Sequence, residues 1–549
     1  MHSHTPSCPA KSDQSVIAPT PAPSHSSAGR SAFLVAAGIF LSRISGLVRE
    51  RILAHFFGNT FAADAFRAAL KIPNFLQNLF GEGVLSASFI PVYAKLQAQG
   101  EKEEAGRVAG AIFSLLAVVT SLVVLVGVLT TPWLIAAIAP GFHGEKRQLT
   151  ILLVRILFPG VGLLVLSSWC LGILNSHGKF FLSYASPVIW NAVIVAALLW
   201  YAKSSSLSSL AVYGIWGSVA GSILQLAVQL SVVLRLAPNI RLGWGMASQN
   251  VRTVVRNFAP VFVSRGVVQL SAYVDTVLAS PLPTGAVSAL GYAQTIYLLP
   301  VSLFGMAVSA AELPAMSRTL GNEQQVAETL RARISASTLR IGFFVVPSAV
   351  LFLALGDVVA GAIYQTGKFG RADSLYVWGI LAGSAVGLVA STVGRLYSSA
   401  YYALRDTRTP LRFAVLRVVL TTVLGYLAAL PLPRLLGVDP KWGVAGLSAS
   451  AGIAAWLEFL LLRRGMEQRI GQMKFPAAYF ARLWFSAAVA AGVVWAIRLA
   501  LHPHFHFLDD PRIAAVLLLA PYGLIYLTMT MLFGVDQART LAKRLLRAR

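Results

Sequence analysis

The sequence predicts an all-α polytopic membrane protein with about fourteen transmembrane helices. Composition is the first reason. Of 549 residues, 56% are hydrophobic and 12% charged, about half the roughly 25% charged of a soluble domain. Such a chain cannot cover a folded surface with polar side chains, which excludes an ordinary soluble enzyme and a disordered scaffold. Mean hydropathy is +0.69. The second reason is that the apolar residues come in runs of the roughly 20 residues that cross a bilayer. The third is that the cations gather in alternate short loops, as topology signals do.

Residues 1–30 are rich in Ser, Pro, Ala and His and hold no apolar run. They read as a disordered tail and not as a signal peptide. The first spans are expected at 31–57 and 61–94, both with charges inside. Val108–Gly141, Phe180–Tyr201 and Leu207–Leu234 carry no charge and give three clear spans, with another at 149–176 between them. The remaining spans are expected at 253–280, 285–317, 340–365, 374–402, 411–432, 442–462, 477–500 and 511–534.

The net charge is +24, from 45 Lys+Arg against 21 Asp+Glu. One set of alternate loops holds Lys95, Lys102 and Arg107, then Arg235, Arg241, Arg252 and Arg256, then Arg318, Arg331, Arg333 and Arg340, then Arg405, Arg408, Arg412 and Arg417, then Arg463, Arg464, Arg469 and Lys474, and the tail Arg539 to Arg549. The other set holds little beyond Lys146, Arg147, Lys203, Lys368, Arg371, Arg434, Lys441 and Arg512. The rich side is expected to be cytoplasmic, with both termini on it. No loop is long enough for a soluble catalytic domain, and no nucleophile–base pair is evident; the chain is expected not to be an enzyme. Cys8 and Cys170 cannot form a disulfide framework. The histidines of Leu501-His502-Pro503-His504-Phe505-His506 read as a solvated loop, since no cysteine or spaced carboxylate completes a metal site. No metal or other cofactor is expected.

An internal repeat is present. Leu79-Phe80-Gly81-Glu82-Gly83-Val84 is echoed by Leu303-Phe304-Gly305-Met306-Ala307-Val308, each followed by a proline, Pro91 or Pro314, and then a cation. Ser42-Arg43 has its counterpart in Ser264-Arg265. An even offset, about six spans, gives two parallel halves with substrate expected between them.

Ionisable groups inside a bilayer are costly and usually line a cavity. In the first span Arg43, Arg49, Glu50 and Arg51 follow an apolar run, with Arg43 and Glu50 on one face. In the second, Asp64, Arg67, Lys71, Asn74, Asn78 and Glu82 form a polar stripe within about 80° of arc. The stripe lines water, substrate or a static helix contact. Pro73 and Gly81-Glu82-Gly83 are expected to bend that helix. The excess of cations suits an anionic head group and not a cationic drug. The second half offers Arg265 and Asp275 in its first span, Glu312 and Arg395. Asp275 is a candidate for a coupling ion. Ten residues apart, Arg265 and Asp275 lie about 15 Å from each other along one helix, too far to pair.

These blocks resemble the MurJ (MviN) family, flippases of the peptidoglycan precursor lipid II, within the superfamily of multidrug, oligosaccharidyl-lipid and polysaccharide exporters. The matching residues are Ser42-Arg43-Ile44-Ser45-Gly46-Leu47-Val48-Arg49, Asp64-Ala65-Phe66, Lys71-Ile72-Pro73-Asn74, Glu82-Gly83, Phe89-Ile90-Pro91, Gly172-Ile173-Leu174-Asn175, Gln269 with Asp275, and Tyr402 to Pro410. The resemblance implies two pseudo-symmetric six-helix lobes plus a C-terminal helix pair. On this sequence that places lobes at 31–236 and 237–465, and the pair with a basic tail at 466–549. It also implies a cationic central cavity, a groove for a polyprenyl tail near the last two helices, and transport in a bacterial inner membrane driven by H+, Na+ or membrane potential. The family's cavity positions carry over to Arg43, Arg49, Asp64 and Glu82; Arg43 and Arg49 are the expected pyrophosphate ligands, and this chain's own Arg67, Lys71 or Arg265 are expected to add cations to the cavity. Glu50, Asp64 and Glu82 are charge partners or gates.

The chain departs from the family at Gln77 and Thr295, where arginines are usual. The expected function is flipping a polyprenyl-pyrophosphate-linked saccharide, lipid II first, with membrane lipids and envelope-synthesis proteins as partners and no nucleic acid. A flippase of another undecaprenyl-linked glycan and a non-transporting scaffold stand as alternatives.

Overall fold

A computed structural model describes residues 25–85, 88–203, 206–245, 248–317, 322–473, 476–501 and 510–547. Within these, side chains are described outside 25–36, 74, 81–83, 259–272, 310, 314–315 and 544–547. Most of the N-terminal tail and the histidine loop of 502–506 lie outside the described residues. The first half runs through α1 (His25–Phe57), α2 (Phe61–Gln77) with a π-helical extension (Asn78–Leu85), α3 (Ile90–Ala98), α4 (Lys102–Ile138), α5 (Gly144–Ser176), α6 (Phe180–Ala185), α7 (Pro187–Tyr201) and α8 (Leu207–Leu236). The second half has α9 (Gln249–Ala279), α10 (Ala286–Pro300), a π-helical segment (Val301–Met306), α11 (Ala307–Ser317), α12 (Glu323–Tyr364), α13 (Arg371–Ala403), α14 (Arg408–Ala429), the short α15 (Pro431–Leu435) and α16 (Gly443–Ile470). The chain closes with α17 (Ala477–Leu501), α18 (Pro511–Leu532) and α19 (Asp536–Arg547).

Among the described residues 11 helical stretches are long and apolar enough to cross a membrane. The other expected spans coincide with α1, with α2 and its extension, and with α9, the helices that carry the intramembrane charges. Helix α1 starts at His25, inside the stretch assigned to the tail, and so runs beyond its apolar segment. The segment after α18, read as a basic tail, is also helical: Val535 just before α19 and Ala538 within it are buried, while Arg539 and Lys543 are exposed.

Large apolar side chains face outward all around the molecule. Trp200 is 82% exposed, Trp133 72% and Leu122 60%. Water would not tolerate that surface, and hydrocarbon does. The interior closes in three apolar clusters. Two belong mainly to the first half, around Phe66, Leu157 and Ile194 and around Phe89, Trp169 and Val254. The third gathers Tyr292, Val346, Leu381 and Leu462 with Leu483 and Tyr526 of the closing helices.

Local irregularities follow from single residues. The two repeat motifs, Leu79-Phe80-Gly81 and Leu303-Phe304-Gly305, both fall in π-helical segments downstream of prolines, Pro73 and Pro300. Such segments widen the helix and mark functional bends. Pro347 within α12 has no N–H for the carbonyl of Phe343. The Tyr526 hydroxyl of α18 donates to that carbonyl at 2.7 Å, and Tyr522 donates to the carbonyl of Pro347 at 2.7 Å. The closing pair is thus pinned to α12 at its own break. In the Tyr402–Pro410 motif, Asp406 accepts from the Thr409 hydroxyl at 2.7 Å and from the amides of Arg408 and Thr409, both at 3.0 Å. Those bonds to Thr409, with Arg469 beside them, hold the Asp406 carboxyl below the usual carboxylate range, so the cap of α14 stays ionised at neutral pH.

The halves meet most closely at one end. The α1–α2 turn lies against the α12–α13 turn and the start of α10. Lys368 donates its amide to the carbonyl of His55 at 2.8 Å, His55 Nδ1 lies 2.9 Å from Thr366 Oγ1, and Asn59 donates to Asp373 at 2.9 Å. Glycine makes the approach possible. Gly58 (φ +56°) and Gly367 (φ +56°) both have left-handed backbones. A Cβ on Gly58 would lie 2.7 Å from the carbonyl oxygen of Lys368, and one on Gly367 2.4 Å from that of His55. The halves also touch at the other end, where Ser248 donates to Glu104 at 2.6 Å, Asn250 at 3.3 Å, and Arg241 ahead of α9 pairs with Glu103 at 3.7 Å.

Candidate functional site

Helix α1 presents three consecutive charges at the seam. Glu50 is buried and takes a guanidinium on each oxygen: Arg49 Nη2 at 2.7 Å from Oε1, and Arg67 Nη2 on Oε2. Arg49 also donates to Asn191 Oδ1 at 2.9 Å and lies 5.1 Å from the centre of the Trp190 ring. Asn191 in turn donates to Ser45 at 2.9 Å. Arg67 sits over the ring of Tyr292, 4.5 Å from its centre. One carboxylate between two guanidiniums leaves a net positive charge. The aromatic faces compensate it in part, as a low-dielectric site requires. Arg49 Nε is buried and donates to none of the described residues. Arg51 turns to the second half and donates to the carbonyls of Ala362 and Ile363 at 3.0 and 2.9 Å, at the C-terminal end of α12, where a cation is favoured.

Asp64, at the start of α2, is fully buried at the latched end. It accepts from the amides of Gly285 and Ser288, both at 2.8 Å, and from Lys146 Nζ at 2.7 Å. The first half thereby caps α10 of the second, with a negative charge on a helix N-terminus. Deeper along α2, Lys71 Nζ contacts Thr276 Oγ1 of α9, and Tyr273 donates to the carbonyl of Lys71 at 3.1 Å. Gln294 Nε2 donates to Asp275 Oδ2 at 3.2 Å.

The structure therefore brings Arg49, Glu50 and Arg67 together and places Asp64 and Lys71 on separate contacts with the second half. Asp64 holds a lysine and a helix end, while Glu50 holds the arginines. Arg43 lies exposed on α1, toward its N-terminus from Arg49, and joins none of the ion pairs among the described residues. Glu82 and Arg265 have side chains outside the described residues. Glu82 falls in the π-helical extension and Arg265 in the middle of α9. Glu312 pairs with Arg333 at 3.2 Å. Thr295, where the family pattern has arginine, donates to the carbonyl of Gly291 at 3.0 Å and supplies no charge.

Several partners were not evident in the sequence. Asn191 and Trp190 lie in a charge-free span, Lys146 counted as a loop cation, and Tyr292 and Thr276 as ordinary apolar-span residues. The lone asparagine in Phe180–Tyr201 was the one available signal. Gly291 is part of the same site, since a Cβ there would lie 2.1 Å from Arg67 Cδ. Gly291→Ala is expected to push Arg67 off Glu50 and Tyr292 and to reduce transport as strongly as Arg67→Ala. A flux assay of both variants, normalised to membrane protein level, checks it; near wild-type flux in Gly291→Ala would show that the Arg67 position is immaterial.

Two helical halves latched at one end, with buried charge at their seam and apolar surface all around, define a multi-pass membrane transporter. The chain belongs to the MurJ family: the model described as "Lipid II flippase MurJ" matches residues 53–514. Among curated relatives, a probable lipid II flippase MurJ of Rhizobium tropici is 30% identical over 84% of this chain and 86% of its own length. The lipid II flippase MurJ of Burkholderia cenocepacia is 29% identical over 85% of this chain and 89% of its own. A solved lipid II flippase MurJ in an inward closed conformation superposes with a TM-score of 0.75 at 24% identity, covering 92% of this chain and 99% of that one. An inward-facing multidrug resistance MATE family transporter of the MOP superfamily gives 0.59 at 14% identity, over 77% and 95%. These two likenesses are of fold.

Proposed function

We propose that this chain flips lipid II from the cytoplasmic to the periplasmic leaflet of a bacterial inner membrane by alternating access, and so serves peptidoglycan synthesis. The observation that carries this reading is the buried Arg49–Glu50–Arg67 cluster at the seam of the two halves. A pyrophosphate is the ligand such a pair of guanidiniums fits, since each can donate two hydrogen bonds to it. The relatives' names supply the saccharide and the lipid.

In this reading both termini are cytoplasmic, and the latch between the α1–α2 turn and the α12–α13 turn closes the periplasmic side. The cavity then receives the head group from the cytoplasm. Arg43 makes the first contact, being exposed. Arg49 and Arg67 then exchange the Glu50 carboxylate for the pyrophosphate, and Lys71 and Arg265 complete the cationic lining. Glu82 and Asp64 act as gates on opposite ends of the second span. Asp275 is the position for a coupling H+ or Na+, with membrane potential as the alternative drive. The lobes are 31–236 and 237–465, with the polyprenyl tail lying along the closing pair of 466–549. Envelope-synthesis proteins are the proposed protein partners.

The test is complementation. Expressed in a bacterium depleted of its own lipid II flippase, the chain should restore growth and periplasmic lipid II, and Arg43→Ala should remove that rescue while still inserting in the membrane. Full rescue by Arg43→Ala would end the role given to Arg43. Failure of the wild-type protein would favour a different undecaprenyl-linked glycan, which Gln77 and Thr295 already make the second reading.

A further inference from the structure

A recess lies between the ends of α12 and α13 and the closing pair. Its free volume is about 70 Å³, the scale of a small polar group. Helix α12 breaks just before it: Leu355 leaves the helical region (φ −133°, ψ 20°). The indoles of Trp378 and Trp495 donate to the neighbouring carbonyls of Leu353 and Ala354 at 3.0 and 3.2 Å. The break is thus a held feature of the packing, and it turns Asp357 into the recess.

The recess carries three charges. Arg498 Nη2 pairs with Asp357 Oδ2 at 2.7 Å. Arg371 lines the recess, is exposed, and joins no ion pair among the described residues. Asp357 Oδ1 is buried and accepts from none of the described residues. A buried carboxylate oxygen in that state costs free energy unless a donor reaches it. Leu375 and Leu518 add an apolar flank, and Leu375 is 38% exposed. The site therefore offers cationic donors for an anion, an acceptor for a cationic N–H donor, and an apolar wall.

We propose that this recess binds the head group of an aminophospholipid, a phosphoethanolamine lipid, from the leaflet on the latched side. The phosphate takes hydrogen bonds from Arg371 and Arg498, the ammonium donates to Asp357 Oδ1, and an acyl chain lies over Leu375 and Leu518. Charge complementarity selects this occupant. A head group of phosphate alone leaves Asp357 unsatisfied, a glycerol head group offers it only a neutral hydroxyl, and a choline head group has no N–H to give it. The recess also adjoins the latch. Gly361 and Gln365 line it, while Ala362, Ile363 and Thr366 in the same stretch bind Arg51 and His55. An occupied recess braces the turn on which the latch closes.

The experiment uses the full chain in detergent, titrated with short-chain phosphatidylethanolamine, phosphatidylglycerol or phosphatidylcholine while thermal unfolding is followed. The ethanolamine lipid is expected to raise Tm by a saturable few degrees. Arg371→Ala and Asp357→Asn should each weaken its apparent affinity by about tenfold, the effect of one charge-assisted hydrogen bond. Phosphatidylcholine should act on the wild-type protein no better than the ethanolamine lipid acts on Asp357→Asn. Equal responses to all three lipids, or an ethanolamine response unchanged in Arg371→Ala, would overturn the proposal. A phosphatidylglycerol response matching the ethanolamine one and unaffected by Asp357→Asn would mark a general anion site and overturn it as well. If Asp357→Asn fails to fold, the Arg371→Ala series and the three-lipid comparison still decide.

Discussion

Asp64→Ala is expected to open the latched end. Asp64 is fully buried and joins Lys146, the amides of Gly285 and Ser288, and through them the two halves. Removing it strands a lysine in a nearly dry site and leaves two helix N-terminal amides without an acceptor. Breaking a buried ion pair on one side costs about 3–5 kcal/mol. If the cost falls wholly on the latched state, the balance between states shifts by about a hundredfold or more. A cysteine pair placed at Asn59 and Ser288, in a background without the native cysteines, reports the contact, since these side chains already meet at 3.2 Å. Crosslinking should be rapid with Asp64 present and strongly slowed with alanine. Transport should fall with it, because a molecule open on the periplasmic side does not return to collect head groups. Asp64→Asn should lie between the two: its amide oxygen still accepts from α10, but the charge opposite Lys146 is gone. Unchanged crosslinking in Asp64→Ala would show that the glycine-lined turns alone hold the latch.

Glu50→Gln is expected to bind head group more tightly and transport it more slowly. In the structure Glu50 occupies Arg49 and Arg67. In the proposed cycle it is the pyrophosphate's competitor, so it lowers affinity and resets the site once cargo leaves. Glutamine keeps the shape and removes the charge. The guanidiniums are then freed for phosphate at the cost of being buried with less compensation. Each charge-assisted hydrogen bond is worth about 1.5–3 kcal/mol, so the expected change is about ten- to a hundredfold in each direction. Binding of a soluble pyrophosphate-linked saccharide by calorimetry and flux in proteoliposomes separate the two effects. Arg67→Ala should lose both affinity and flux. If Glu50→Gln loses affinity as well, Glu50 is a structural anchor for the arginines and not a competitor. A scaffold without transport would show no flux in any variant while still restoring growth.

The charged first span, the stripe from Asp64 to Glu82, the bend after Pro73 and the alternation of cationic loops are all legible along the chain. Each is a local property: bilayer thickness, helical periodicity and the cost of charge in hydrocarbon act on consecutive residues. The repeated Leu-Phe-Gly motif is legible too, and both copies fold as π-helical segments. What the stripe does was not legible. The wheel places Asp64, Arg67 and Lys71 on one face, yet they serve a helix cap, a carboxylate bridge and a contact to Thr276. Which partner each meets depends on helices up to hundreds of residues away, and in Tyr292 and Thr276 those partners are ordinary residues of apolar spans.

The sequence by itself determined a helical membrane protein, its family and the stock of charges at its centre, because those follow from composition and from short-range order. The tertiary structure alone decided that Glu50 sits between Arg49 and Arg67, that Asp64 closes one end against α10, and that Asp357 keeps a buried oxygen open beside the closing pair. Electrostatic pairing in a low-dielectric interior is settled by distances of a few ångströms between groups remote in sequence, and only the packing of the helices sets those distances.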